Sequence, residues 1–183
     1  ANRHDYGLTP TGPTVVDFLR DAGLDTIAVG KTYDLLCGNG FSESHHNESN
    51  SDGMDHVDEV MARDWHGLCF TNLVDFDAVY GHRRDPLGDG LALEDFDRRL
   101  GGVMDAMRDD DLLIITADHG NDPTYRGTDH TRELVPLLAW SPSMRGGVDL
   151  ELRPTASDIG ATILDNFGIP GNGEGTSFLS ELQ

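Results

Sequence analysis

Three short stretches concentrate the side chains able to do chemistry. Asp75-Phe76-Asp77-Ala78-Val79-Tyr80-Gly81-His82-Arg83-Arg84-Asp85 is one; Ala117-Asp118-His119-Gly120-Asn121-Asp122-Pro123 is the second; Gly127-Thr128-Asp129-His130-Thr131-Arg132-Glu133 is the third. Each sets a histidine near aspartates, and none contains cysteine. Carboxylate and imidazole without thiolate suit Mn²⁺ or Zn²⁺. A single Asp-His pair is ordinarily a surface hydrogen bond, but several such pairs meeting at one edge of a sheet make a metal site. Asp77, His82, Asp118, His119 and His130 exceed the ligand number of one tetrahedral ion, so the expectation is two ions. Adjacent Asp118 and His119 would serve one, and Asp77, His82 and His130 the other. Paired ions hold the attacking and leaving oxygens of an in-line displacement, which makes phosphoryl transfer the leading chemistry.

Other candidates carry less. Lys31, the sole lysine, follows a short β-branched run and can meet a phosphate as a point charge, or can be an ordinary surface lysine. Thr116 reads as a strand-end hydroxyl bonded to backbone and Thr128 as a turn residue, not as nucleophiles. Arg83 and Arg84 can bind phosphate, with one of them expected to pair with Asp85 or another carboxylate. His45 and His46 read as solvent-exposed, and His56 and His66 carry no motif.

These residues need elements to position them, and the periodicity supplies an alternation of helix and strand. Thr14 to Ala22 spaces Val15, Phe18, Leu19 and Ala22 for a helix, with Pro13 suited to its first turn and Gly23 to its end. Strand patterns follow at Asp25 to Gly30, Leu68 to Val74, Leu112 to Thr116 and Leu134 to Trp140. Helices are expected over Met54, Val57 and Met61, capped by Ser51 or Asp52, from Leu91 to Met107 with Leu93, Phe96, Leu100, Val103, Met104 and Met107 on one face, and from Thr155 to Phe167. Cys37 to Asn50 shows no period and reads as a loop. The fold class is α/β, a largely parallel sheet covered by helices. Two of the reactive stretches then begin just past strand ends, where open α/β sheets place their ligands.

With those elements in place, Asp-Phe-Asp-x-x-x-Gly-His-Arg-Arg-Asp, Thr-Ala-Asp-His-Gly-Asn-Asp-Pro and Gly-Thr-Asp-His-Thr-Arg-Glu resemble the metal motifs of the phosphopentomutases, within the alkaline phosphatase superfamily. The likeness runs from Asn2-Arg3-His4-Asp5-Tyr6 to Gly175-Thr176-Ser177-Phe178-Leu179 but covers only a C-terminal portion of that family. It implies an alkaline phosphatase-like core over residues 11–183, with residues 1–10 resembling the end of an inserted cap domain. It implies two Mn²⁺ ions, Asp77, His82 and His130 as ligands of one, Asp118 and His119 as ligands of the other, and Lys31 facing the substrate phosphate. The expected reaction interconverts ribose or deoxyribose 1-phosphate and 5-phosphate through a phosphothreonine, a step in nucleotide salvage. The family's threonine nucleophile and remaining metal aspartate have no counterpart in these residues, so the chain alone is expected to be inactive. The alternatives are a metal-binding remnant without catalysis, or another phosphomutase or phosphatase of the superfamily.

Composition bounds the partners. The 183 residues hold 33 acidic against 13 basic side chains, a net charge of −20 that repels nucleic acid and anionic membrane surfaces. Such acidity suits adaptation to high salt or follows from a GC-rich genome. No run approaches the roughly 18 apolar residues of a membrane span, and the start carries no secretory pattern, so a cytoplasmic location is expected. Cys37 and Cys69 form no paired motif; both are expected reduced, with Cys69 buried. The length suggests one domain acting on a small phosphorylated pentose.

Overall fold

The computed structural model describes residues 7–182. The expected cap-end segment falls mostly on residues 1–6 and so lies outside them, as does the Asn2 to Tyr6 stretch. Where one domain was expected, the chain divides into two compact units built from interleaved segments. One combines the chain up to His46 with Asp64–Asn72 and the chain from Arg145 onward; the other combines Asn47–Arg63 with Leu73–Met144.

The first unit contains helices α1 (Val15–Asp21), α2 (Thr32–Leu35) and α5 (Ser157–Asn166), with strands β1 (Asp25–Val29), β2 (Glu43–His45) and β3 (Gly67–Thr71). The strands are parallel in the order β2-β1-β3, with Ile27 opposite both Glu43 and Cys69. Strand β1 has no polar alternation because both of its faces are covered: Ile27, Ala28 and Val29 are at most 1% exposed. Strand β3 lies at the sheet edge, which leaves Cys69 only half-buried rather than buried as its apolar neighbours suggested.

Polar residues account for the element the periodicity missed. The Thr26 hydroxyl, fully buried, donates to the Gly40 carbonyl at 2.7 Å and accepts from the Ser42 amide at 2.9 Å, while the Ser42 hydroxyl accepts from the Thr26 amide at 2.9 Å. These bonds draw a polar segment beside β1 as strand β2. His45 in that strand is half-buried against Glu43 at 2.5 Å, not exposed. Helix α1 starts one residue later than expected, because Thr14 is its cap and exchanges hydrogen bonds with Asp17. Pro13 therefore precedes the helix. At the other end of the unit, Asp158 is 1% exposed and is satisfied by Arg153 Nε at 3.0 Å and the Thr176 amide at 2.9 Å.

The second unit contains α3 (Asn50–Met61), α4 (Pro86–Ala106), β4 (Leu113–Thr116) and β5 (Leu137–Trp140). Ser49, not Ser51 or Asp52, caps α3 by accepting from the Asp52 amide at 3.1 Å. Helix α4 begins five residues before the apolar pattern does, because Asp85 caps it and Pro86 occupies its first turn. Its inward side carries Phe96, Arg99 and Val103, whereas Leu93 is 52% exposed. Arg99 donates to Asp55 at 2.8 Å and Asp58 at 2.7 Å on α3, joining the two helices. Strands β4 and β5 pair antiparallel as a separate sheet. The chain between them returns as a loop, and a loop suffices for an antiparallel neighbour where a parallel one needs a crossover. Among the described residues no helix is long and apolar enough to cross a membrane.

Candidate metal centre

The backbone first brings Asp77 and His82 together. Residues five apart lie about 140° apart around an α-helix, too far to share a face. Here Phe76–Gly81 forms a π-helical turn, and the His82 amide donates to the Asp77 carbonyl at 2.9 Å in the i→i+5 pattern that brings the fifth residue round to the same side. His82 Nε2 consequently lies 3.3 Å from Asp77 Oδ2. Phe76 meets Phe96 of α4 edge-on, with ring centroids 6.3 Å apart, and anchors the turn.

His119 and His130 come from the long loop after β4. The Thr131 amide donates to the Gly120 carbonyl at 2.9 Å, an isolated bridge that pinches the loop and sets the two histidine segments side by side. Gly120 eases the pinch, since a Cβ there would stand 3.0 Å from both the Glu133 amide nitrogen and the Thr131 carbonyl oxygen. The rings of His119 and His130 stack with centroids 3.7 Å apart, and His82 lies 4.9 Å from His130. His130 Nε2 is 3.2 Å from Asp77 Oδ1. Ligand atoms of Asp77, His119 and His130 all fall within 4.8 Å of one another. The Asp118 carboxylate is 3.7 Å from His119 Nε2 and is 68% exposed.

The hydrogen bonds decide which nitrogens are available. His82 Nδ1 faces the Thr128 carbonyl at 2.5 Å, and a carbonyl can only accept, so Nδ1 holds the proton. His119 Nδ1 lies 3.2 Å from the Gly120 carbonyl in the same sense. Both Nε2 atoms are thereby turned toward carboxylates, His82 toward Asp77 and His119 toward Asp118. A ring nitrogen and a carboxylate oxygen at such a separation are held together by a shared proton or by a cation between them. A backbone carbonyl behind an imidazole is also the usual support of a metal-ligating histidine. One carboxylate, converging imidazoles and no thiolate fit a divalent cation.

Two further residues were not singled out as site residues by sequence. Asn121 donates from Nδ2 to Asp77 Oδ1 at 2.6 Å, and Gly81 makes room for it: a Cβ at Gly81 would lie 2.5 Å from that nitrogen. Arg84 was expected to pair with a carboxylate or a phosphate, yet it donates to the carbonyls of Gly81, Asp122, Gly127 and Asp129 and to the Asn121 side chain. Asp85 instead accepts from the Gly88 amide at 2.9 Å. The Thr124 hydroxyl and amide, followed by the Arg84 charge, hold Asp122 below the ordinary carboxylate range. Lys31 belongs to the other unit, where it is exposed at the start of α2. Thr116 is exposed, with its hydroxyl 3.4 Å from the Ala117 carbonyl.

This fold and its cluster of candidate ligands agree with the match of residues 14–171 to the Metalloenzyme superfamily, to which the chain belongs. Among curated relatives, it is 63% identical over 183 residues to the phosphopentomutase of Levilactobacillus brevis and 62% identical to that of Limosilactobacillus reuteri. Each alignment takes in 100% of this chain and 46% of the relative, so the chain spans about half the length of the curated relatives it matches. A phosphoglycerate mutase of Leishmania mexicana, solved at low cobalt concentration, superposes with a TM-score of 0.66 over 88% of this chain and 38% of that one; at 19% identity the likeness is one of fold.

Proposed function

We propose that this chain carries the metal-binding part of a phosphopentomutase, in which Asp77, His82 and His130 hold one Mn²⁺, and Asp118 and His119 contribute to a second. The observation carrying this reading is the convergence of His82 Nε2, at 3.3 Å, and His130 Nε2, at 3.2 Å, on the two oxygens of the Asp77 carboxylate. The extended identity to phosphopentomutases supports the substrate class, a ribose or deoxyribose phosphate, and with it a cytoplasmic role in nucleotide salvage. A bound divalent cation supplies charge stabilisation to phosphoryl oxygens. The chain's own residues aim the acceptors: Thr128 fixes the His82 proton on Nδ1, Asn121 orients the Asp77 carboxylate, and the stack of His119 on His130 sets the spacing of their nitrogens. Lys31 offers an ammonium to the substrate phosphate.

A second reading, a cation-binding chain without turnover, is favoured by the state of the nearby hydroxyls. The exposed Thr116 hydroxyl faces the Ala117 carbonyl, which cannot take its proton, so it is not activated as a nucleophile, and the Thr131 oxygen is occupied by the Asp122 amide at 2.7 Å. Titration with Mn²⁺ followed by a ribose 1-phosphate to ribose 5-phosphate assay separates the readings. The expected result for the 183-residue chain is cation binding that raises its melting temperature, reversed by chelator, without turnover. Identical melting curves with Mn²⁺ and with chelator would overturn the metal assignment, and turnover would place a nucleophile among these residues.

A further inference from the structure

Resting on the metal-centre reading, we infer that Arg84 is the positioning residue of the centre: its guanidinium sets cation affinity by fixing the loop that carries His130. The backbone supplies the first sign. Arg84 has φ +55°, a left-handed conformation that is strained for a non-glycine residue and persists only where surrounding contacts over-determine it. Those contacts are five hydrogen bonds. Nε donates to the Gly127 carbonyl at 2.5 Å; Nη1 shares its two hydrogens among the carbonyls of Gly81 at 3.1 Å and Asp122 at 2.7 Å and Asn121 Oδ1 at 2.7 Å; Nη2 donates to the Asp129 carbonyl at 2.7 Å. The guanidinium thus binds the loop between His119 and His130 near both of its ends.

Two relays lead from this fork to ligands. Arg84 takes the Asn121 oxygen, which leaves the Asn121 nitrogen turned toward Asp77 Oδ1 at 2.6 Å. It also grips the carbonyls of Gly127 and Asp129, which flank the Thr128 carbonyl that holds the His82 Nδ1 proton at 2.5 Å. Loss of the fork lets the Asn121 amide rotate away from Asp77 and the Thr128 carbonyl drift, so that neither the Asp77 carboxylate nor the His82 ring keeps its aim. A lysine cannot substitute, because a single ammonium has no planar fork to reach carbonyls on several sides.

The test compares the wild-type chain with Arg84→Lys, Arg84→Gly and, as a neighbour control, the exposed Arg83→Lys. Mn²⁺ affinity is read by electron paramagnetic resonance of the free ion, and ligand geometry by the visible absorption of added Co²⁺. The expected result is a roughly 10–100-fold weaker Mn²⁺ affinity and a changed Co²⁺ spectrum in both Arg84 variants, with Arg83→Lys unchanged. Arg84→Gly relieves the backbone strain and leaves room for a free guanidinium, so millimolar methylguanidinium should restore part of its affinity, a rescue that general destabilisation would not show. Affinities within twofold of wild type and an unaltered Co²⁺ spectrum in both Arg84 variants would overturn the inference while leaving the metal centre standing. Absence of Mn²⁺ binding by the wild-type chain would overturn the metal-centre reading and this inference with it.

Discussion

The two compact units hold themselves together by different means. In the first, the buried strand β1 is sandwiched in a parallel sheet, and Val16, Leu19, Ile27, Val29 and Phe178 are at most 1% exposed. In the second, buried apolar residues are sparse, with Val60 at 1%, Met54 at 5% and Val103 at 6%, and the region from Asp75 to Glu133 is shaped by carbonyls, amides and charged side chains. Apolar burial is non-directional and tolerates adjustment, whereas a hydrogen-bonded framework fixes atoms along particular lines. A site that must aim several lone pairs at one point is built from the second kind of material.

Four substitutions sharpen this contrast. Phe178→Ala in the first unit should have the largest effect on stability, about 3–5 kcal/mol and a melting temperature lower on the order of 10 °C, while the folded fraction binds Mn²⁺ as before; calorimetry with and without Mn²⁺ checks both halves. Asp77→Asn should leave the chelated protein's melting temperature within a few degrees but lower Mn²⁺ affinity about 100-fold, because it removes the carboxylate on which two histidines converge; an affinity within threefold of wild type would break the contrast. Gly81→Ala should weaken Mn²⁺ about tenfold by displacing Asn121 from Asp77, an effect to be read in the same titration. Thr14→Ala should cost about 1 kcal/mol through loss of the α1 cap and nothing in cation affinity, measured by urea unfolding.

Sequence reasoning reached the elements and the ligands unequally, and the reason lies in what each leaves in the residue pattern. Helix α5 was legible because burial of one face imposes a period, and strand β1 because burial of both faces leaves a short unbroken apolar run. Strand β2 was not, since Ser42 and Thr26 hold it by hydroxyl bonds that look like loop chemistry. Asp77, His82, Asp118, His119 and His130 could be picked out because carboxylates and imidazoles announce metal chemistry by type. The stack of His119 on His130, which joins the two expected ligand groups, depends on the Gly120–Thr131 bridge, a backbone contact with no side-chain signature. Arg84 escaped for the same reason: an arginine among aspartates suggests an ion pair, and nothing in its neighbours' identities reveals that their carbonyls are its partners.

A loop held by its carbonyls is indifferent to the lettering of its side chains. Every residue type presents the same oxygen, so the Arg84 fork can keep the course of residues 122–129 while Tyr125, 61% exposed, and Arg126 beside it are free to drift over generations. The rim of the centre can thus acquire new side chains without disturbing the centre itself, which offers this part of the chain a route to altered selectivity at little cost in architecture.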